Sequence, residues 1–140
     1  MSEINFNSIY DGVSLALHAA FPDSKVHGGA TAQGVSPGDF NVVMPGASQI
    51  KEVGDRYRRT PTVDVIYYPA GGAADCHDKA HQVVQALWNI TTPEGDIIHA
   101  RSCEWEMTDD VLHIFFQYDH FVRVPREQDL METLKIEQEG

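Results

Sequence analysis

The strongest constraint on the fold is the alternation of apolar and polar side chains in the segment VLHIFFQYDHFVRV, at residues 111–124. Large apolar residues recur at every second position over most of it: Leu112, Ile114, Phe116, Tyr118 and Val122. A period of two is typical of a strand with one face buried, because successive side chains of a strand point to opposite sides. The segment therefore predicts a strand that packs one apolar face against a core.

The preceding segment, DIIHARSCEWEM, predicts a partner for this strand. We expect one side of this strand to carry four apolar residues, Ile97, Cys103, Trp105 and Met107. The opposite side carries Glu104 and Glu106. The intervening TDD is a turn signal, since aspartate favours tight turns. The two segments together predict a long C-terminal β-hairpin.

Two segments have the period of amphipathic helices. The first runs from about Ser8 to Phe21, with Asn7 or Ser8 as its N-cap and Pro22 as its stop. The second lies in GGAADCHDKAHQVVQALWNI, with Asp75 as its N-cap. Their apolar stripes are Ile9, Val13, Ala16, Leu17 and Ala20 in the first, and Ala80, Val83, Val84, Leu87 and Trp88 in the second.

The segments between the helices predict further strands. A short strand is expected near 25–27, another at 40–44 that ends at Pro45-Gly46, and a third from Tyr57 onward. Pro61 cannot donate to a strand ladder, so its position should be an edge, a bulge or a projection beyond the sheet. The fold class is α+β: a mainly antiparallel sheet with two helices packed on one face.

Length and composition limit the class of protein. A chain of 140 residues without a change of composition predicts one domain, 1–140, whose polar end at 126–140 forms a short helix, an added strand or a flexible tail. Two cysteines, read as free thiols, and the lack of a signal peptide or a long apolar run favour a cytoplasmic protein outside the membrane. The net charge of −11 argues against specific DNA binding.

No enzyme template is complete. His77 and His81 lie four residues apart on a predicted helix, as in zinc proteases, but Asp78 replaces the required glutamate and no spacing supplies a third ligand. Two histidines on the exposed side of a helix are the simpler interpretation. We therefore predict no catalytic residue, metal or cofactor, and keep a small metal-dependent hydrolase as the alternative.

The densest positive cluster of this acidic chain lies at the start of the third predicted strand, in EVGDRYRRTPTVDVIYYP. Arg56, Arg58 and Arg59 could bind phosphate or form surface ion pairs. A third interpretation is a protein interface, where the planar guanidinium binds carboxylates through two hydrogen bonds. The abundance of acidic residues, 21 in all, favours an interface between copies of the chain.

Nearly the whole chain resembles the tail terminator (tail completion) proteins of phages and prophages of Firmicutes-type hosts. The resemblance lies in NSIYDGVSLALHAAFPDSKVHG, in PGDFNVVMPGASQIKEVGDRYRRTPTVDVIYYP, in ALWNI and in ARSCEWEMTDDVLHIFFQYDHFV. It implies a structural virion protein without catalytic residues. It also implies a ring, usually of six copies, that caps the head-proximal end of the tail tube, stops tube growth and binds the head–tail connector while DNA passes through.

A ring of this kind needs two different surfaces on each subunit. We hypothesise that cationic residues of one copy pair with carboxylates of the next copy or of the tail tube protein. The candidates are Lys51, Arg56, Arg58 and Arg59 on one side, and Glu104, Glu106, Asp109 and Asp110 on the other. Another neck or connector protein of the head–tail junction is the alternative within this structural class.

Overall fold

A computed structural model describes residues 4–29 and 34–123. The elements in chain order are α1 (Phe6–Ala20), β1 (Val26–Gly28), β2 (Phe40–Lys51), β3 (Arg56–Tyr67), α2 (Gly72–Leu87), β4 (Asn89–Thr91), β5 (Ile97–Thr108), β6 (Val111–Tyr118) and β7 (His120–Arg123). Neither described helix is long and apolar enough to cross a membrane. The predicted tail at 126–140 lies outside the described residues.

The strands form a curled sheet in the order β1-β2-β3-β6-β5-β4. β7 continues beyond β6 and pairs with the first part of β3. All pairs are antiparallel except β1 with β2, which is parallel. The prediction of an α+β fold with a mainly antiparallel sheet is confirmed.

One core joins both helices to a single face of the sheet. Its largest side chains are fully buried: Tyr67, Tyr118, Phe40, Phe116, Ile9, Leu17, Leu87, Leu112 and Ile114. The alternating residues of β6 are all on this face, as predicted, and the Tyr118 hydroxyl donates to the Leu87 carbonyl oxygen at 2.7 Å. Gly12 allows α1 to lie close to β4, because a Cβ there would stand 3.1 Å from the Thr91 carbonyl oxygen.

The first helix begins earlier than the sequence predicts. Asn5 is the N-cap: its Oδ1 accepts from the Ser8 amide at 2.9 Å, and the Asn5 amide donates to the Ser8 hydroxyl at 3.2 Å. This reciprocal pair is a capping box, which satisfies amides that have no partner inside the helix. The predicted cap at Asn7 or Ser8 is therefore wrong.

The second helix is capped by Gly71 without a side-chain bond, so the predicted N-cap Asp75 is wrong. Asp75 lies inside the first turn, where its Oδ2 accepts from the Tyr67 hydroxyl at 2.6 Å and from the amides of Ala70 and Gly71 at 3.1 and 3.2 Å. These hydrogen bonds lower the pKa of Asp75, and the bond from Tyr67 has the largest effect. Trp88 follows the helix and is 40% exposed rather than buried.

We expect Asp75→Ala to lower the free energy of unfolding at pH 7 by about 1–3 kcal/mol, because it leaves several donors without an acceptor. The pKa of Asp75 is depressed in the folded state, so its contribution is fully present above the ordinary carboxyl value of about 3.9 and is lost progressively as the pH falls from there through the depressed pKa. Urea unfolding at pH 7 and pH 3 measures both effects. Asp78→Ala, an exposed change on the same helix, is the control; equal losses in the two variants would contradict the prediction.

Prolines interrupt two strands without ending them. β2 continues through Pro45, with a register shift between Val43 and Gly46, so the predicted end of the strand is wrong. Pro61 lies in the interior strand β3 and not at an edge. It sits where the partner of β3 changes from β7, which pairs up to Arg59, to β6, which pairs from Thr62. Pro61 has no amide hydrogen to donate, and it therefore lies between the β3–β7 ladder and the β3–β6 ladder, where no donor is needed.

A register shift also reverses the alternation of side chains in β5. It lies between Ala100 and Ser102. Before it, Ile98 and Ala100 are buried while Ile97 is 63% exposed. After it, the residues paired with the buried positions of β6 are Cys103, Trp105 and Met107. Ile97 therefore does not share a side with these three, and that prediction is wrong because a bulge adds one residue to one strand.

Candidate assembly surface

The last part of β2 and the first part of β3 form a two-stranded arm. This arm carries the four predicted cations, Lys51, Arg56, Arg58 and Arg59. Residues 47–51 pair with 57–61, and Gly54 forms the turn between the strands with a φ of 66°. On its other side, β3 pairs with β7 from Arg56↔Arg123 to Arg59↔His120. We call residues 47–60 the basic arm.

Strand alternation divides the predicted cationic cluster between the two faces of the sheet. Arg59 faces the helices: its guanidinium lies over the Phe6 ring at 4.9 Å, and its Nε donates to Gln49 Oε1 at 2.7 Å. Lys51, opposite Tyr57, shares that face. Arg56 and Arg58 therefore project from the other face, which we call the outer face.

Within the described part of the chain, the two outer arginines are held by surface contacts. The Arg56 guanidinium lies 3.9 Å from the centre of the Phe121 ring, which is itself 50% exposed. Arg58 Nε is 3.6 Å from Glu52 Oε1, which is longer than a hydrogen bond, and both side chains are about one-third exposed. Both guanidinium groups thus keep hydrogen-bonding capacity for another molecule.

The four predicted acceptors lie at the other end of the sheet. Glu104 and Glu106 are exposed on β5 and pair across to Phe115 and His113, on the outer face. Asp109 and Asp110 form the turn to β6, with φ values of 52° and 63°. We call these four residues the acidic edge. Among residues 4–29 and 34–123, no salt bridge joins the basic arm to the acidic edge.

Two long stretches of backbone at the sides of the sheet have no strand beside them. β1 pairs only with the first three residues of β2, 40–42. β4 pairs only with 97–99 of β5, and the Ala100 amide donates to the Trp88 carbonyl oxygen at 2.7 Å. Within the described part of the chain, residues 43–51 and 101–108 are therefore open on one side. The sequence does not reveal these openings, because they depend on how far the neighbouring strands extend.

A buried carboxylate on the outer face is a second feature that the sequence does not reveal. Asp64 is 8% exposed, and its Oδ2 lies 2.9 Å from Nδ1 of His113. Burial raises the pKa of Asp64, although the bond to His113 opposes the shift. Glu106 stands opposite His113 on β5. Asp64 and His113 lie on the interior strands β3 and β6. We therefore assign the pair a structural role, which is to stabilise the packing of these strands on the outer face.

The structure does not assemble the alternative metal site. His77 and His81 are both exposed on α2, and the His77 ring lies 5.7 Å from the Trp105 ring. Within the described residues, no group of three or more His, Cys, Asp or Glu side chains is placed to hold a metal. Cys76 and Cys103 are free thiols, as predicted, and burial raises the pKa of Cys103 to about 11.

Comparison with known proteins identifies the class of this chain. The model for a family described as "Phage tail terminator protein" matches residues 8–129. A solved chain from the virion of a native gene transfer agent particle has the same fold, with a TM-score of 0.55 and 14% identity over 84% of this chain and 96% of that one. No curated protein sequence matches. The protein is a phage structural protein.

Within that class the assignment is specific. Because the family model covers nearly the whole chain, the chain belongs to the phage tail terminator family.

Proposed function

We propose that copies of this protein form a ring that caps the head-proximal end of a phage tail tube. The ring stops growth of the tube and provides the surface to which the head–tail connector binds. The family match over residues 8–129 carries this proposal. The number of copies that the family resemblance implies is six.

The two charged surfaces support the ring. A closed ring is made by contacts between two different surfaces of each subunit, which meet head to tail. The basic arm and the acidic edge are such a pair. They lie toward opposite edges of the sheet and carry opposite charge, and no salt bridge joins them within the described monomer. In the ring, Arg56 and Arg58 bind Glu104 and Glu106 of the next copy. Planar guanidinium groups suit carboxylates because they donate two parallel hydrogen bonds.

The remaining cations of the arm serve a different contact. Lys51 and Arg59 lie on the face of the helices, so they are proposed to bind carboxylates of the tail tube protein. Asp109 and Asp110, at the tip of the β5–β6 turn, join the acidic side of the contact between copies. The role is structural and needs no catalytic residue, metal or cofactor. The protein acts in the virion after assembly in the host cytoplasm.

The net charge of −11 fits a ring through which DNA passes. Phosphates bind proteins that supply cations and release counterions, whereas a ring of net negative charge repels the duplex overall. DNA can therefore move through without being held.

Electron microscopy of tails made with and without the protein tests the function. We expect overlong tubes without joined heads when the protein is absent, and normal lengths when the full chain is supplied from a plasmid. An empty plasmid is the control. Tails of normal length in the absence of the protein would contradict the terminator role, and normal tails without attached heads would instead favour a neck or connector protein.

A further inference from the structure

The open backbone of β2 and β5 is suited to a partner that is itself a strand. The edge of a sheet presents a row of amides and carbonyl groups that pair readily with another chain, so exposed edges are usually short, charged or covered. In this protein two long edges are open in the described chain, at 43–51 and at 101–108. They lie on opposite sides of the same sheet.

We propose that neighbouring copies join by strand addition, with 101–108 of one copy pairing along 43–51 of the next. This inference rests on the proposed ring and names the contact that builds it. Within the sheet, β2, β3, β6 and β5 alternate in direction, so β2 and β5 run antiparallel to each other. A copy rotated about an axis inclined to the strands, as in a barrel, therefore presents its β2 antiparallel to β5 and shifted along it, and the sheet continues across the junction with its faces preserved.

The preserved faces bring the opposite charges together. Glu104 and Glu106 lie on the outer face of the edge strand β5, whereas Arg58 lies on the outer face of β3, one strand inside the β2 edge. Two strand spacings, about 9.6 Å, separate β3 from the added β5, a distance that an extended arginine and a glutamate side chain span together. Ile50 lies opposite Arg58 on β2, and the next two outer-face residues of β2 are the small Ser48 and Gly46, which pair with Thr60 and Thr62. The arginine therefore reaches the edge past Ile50, on the side of the small residues. A Cβ at Gly46 would meet no atom within 4 Å, so the space above this strand is open.

Charge also decides which edges pair. Two β5 edges would place Glu104 and Glu106 against the same residues of another copy, and two β2 edges would bring two basic arms together. Both arrangements set like charges side by side, which costs free energy. Only the pairing of β5 with β2 joins opposite charges, and it uses a different surface on each copy. A contact of this type repeats around an axis and forms a ring when the rotation closes.

Hydrogen–deuterium exchange on the full chain tests the inference, before and after the protein is added to tubes of purified tail tube protein. We expect the outward-facing amides of 43–51 and 101–108, about every second one in a strand, to exchange at least about 100-fold more slowly after assembly. Residues 62–67 of β3, which already have a partner on both sides, are the internal control and should not change.

A cross-linking variant provides a second measurement. Arg58→Lys keeps the positive charge and supplies an amine that a carbodiimide joins to a carboxylate in contact. We expect cross-links between position 58 of one copy and Glu104 or Glu106 of another. Exposed Lys25, which lies outside the arm, is the matched control and should form no such link.

The outcomes separate this inference from the proposed function. Rings that form with unchanged exchange at both edges would overturn strand addition and leave the ring. Slow exchange at either edge in the isolated chain would mean that another part of the same chain occupies it, which also overturns the inference. Protection of a single edge would indicate the tube protein as the partner. Failure to assemble on tubes at all would overturn both proposals.

Discussion

The double variant Arg56→Glu, Arg58→Glu is expected to lose ring assembly while its monomer stays folded. In the proposed ring, each reversal replaces an attraction to Glu104 and Glu106 by a repulsion, and like charges across an interface cost several kcal/mol. We expect assembly to weaken at least about 100-fold. Among the described residues, the two side chains contact Phe121 and Glu52 at the surface, so the fold should change little. Sedimentation velocity and native mass spectrometry measure assembly, and circular dichroism measures folding.

The controls for this prediction use the same chain. Lys25→Glu makes an equal change of charge at an exposed site outside the arm and should assemble normally. A second double variant, Glu104→Arg with Glu106→Arg, should also fail alone but should assemble when mixed with the first, because each then offers the charge that the other needs. Normal assembly of the arginine variant, or no rescue in the mixture, would remove these residues from the interface.

The largest effect on stability is expected from Phe116→Ala, which should lower the free energy of unfolding by about 3–5 kcal/mol. Phe116 is fully buried in β6, between β3 and β5, and its ring stacks 5.7 Å from that of Tyr118. A domain of this size has about 5–15 kcal/mol in total, so much of the stability would be lost. Urea unfolding measures the change. Phe121→Ala, at a half-exposed ring, is the control and should cost under about 1 kcal/mol; similar losses in both would contradict the prediction.

The sequence predicts the parts of the fold that keep a regular period. The alternation in β6 is correct because the strand lies between two others without a bulge, so every second residue meets the core. The predictions for Pro45 and Ile97 fail at bulges, because an inserted residue leaves no reliable mark in composition or spacing. Trp88 fails because the helix ends at Leu87, so its period no longer applies to the next residue.

The candidate surface was predictable in its charges but not in its geometry. The arginine cluster and the acidic residues are visible in the chain, and strand alternation separates Arg59 from Arg56 and Arg58, but the pairing of this segment with both β2 and β7 is a property of the folded sheet. The open edges of β2 and β5 follow from the short pairing of β1 and β4, which is a property of the folded sheet. The buried Asp64 likewise becomes notable only when His113 is placed beside it.

The residues of the turn at Asp109 and Asp110 are not those that its backbone conformation favours most. Both residues adopt a left-handed backbone, which asparagine and glycine accept at lower conformational cost. The turn therefore holds two carboxylates in a backbone conformation that an uncharged Asn-Gly pair would adopt at a lower free-energy cost. In the proposed ring, the turn therefore places two carboxylates at the contact between copies, at a cost in turn preference.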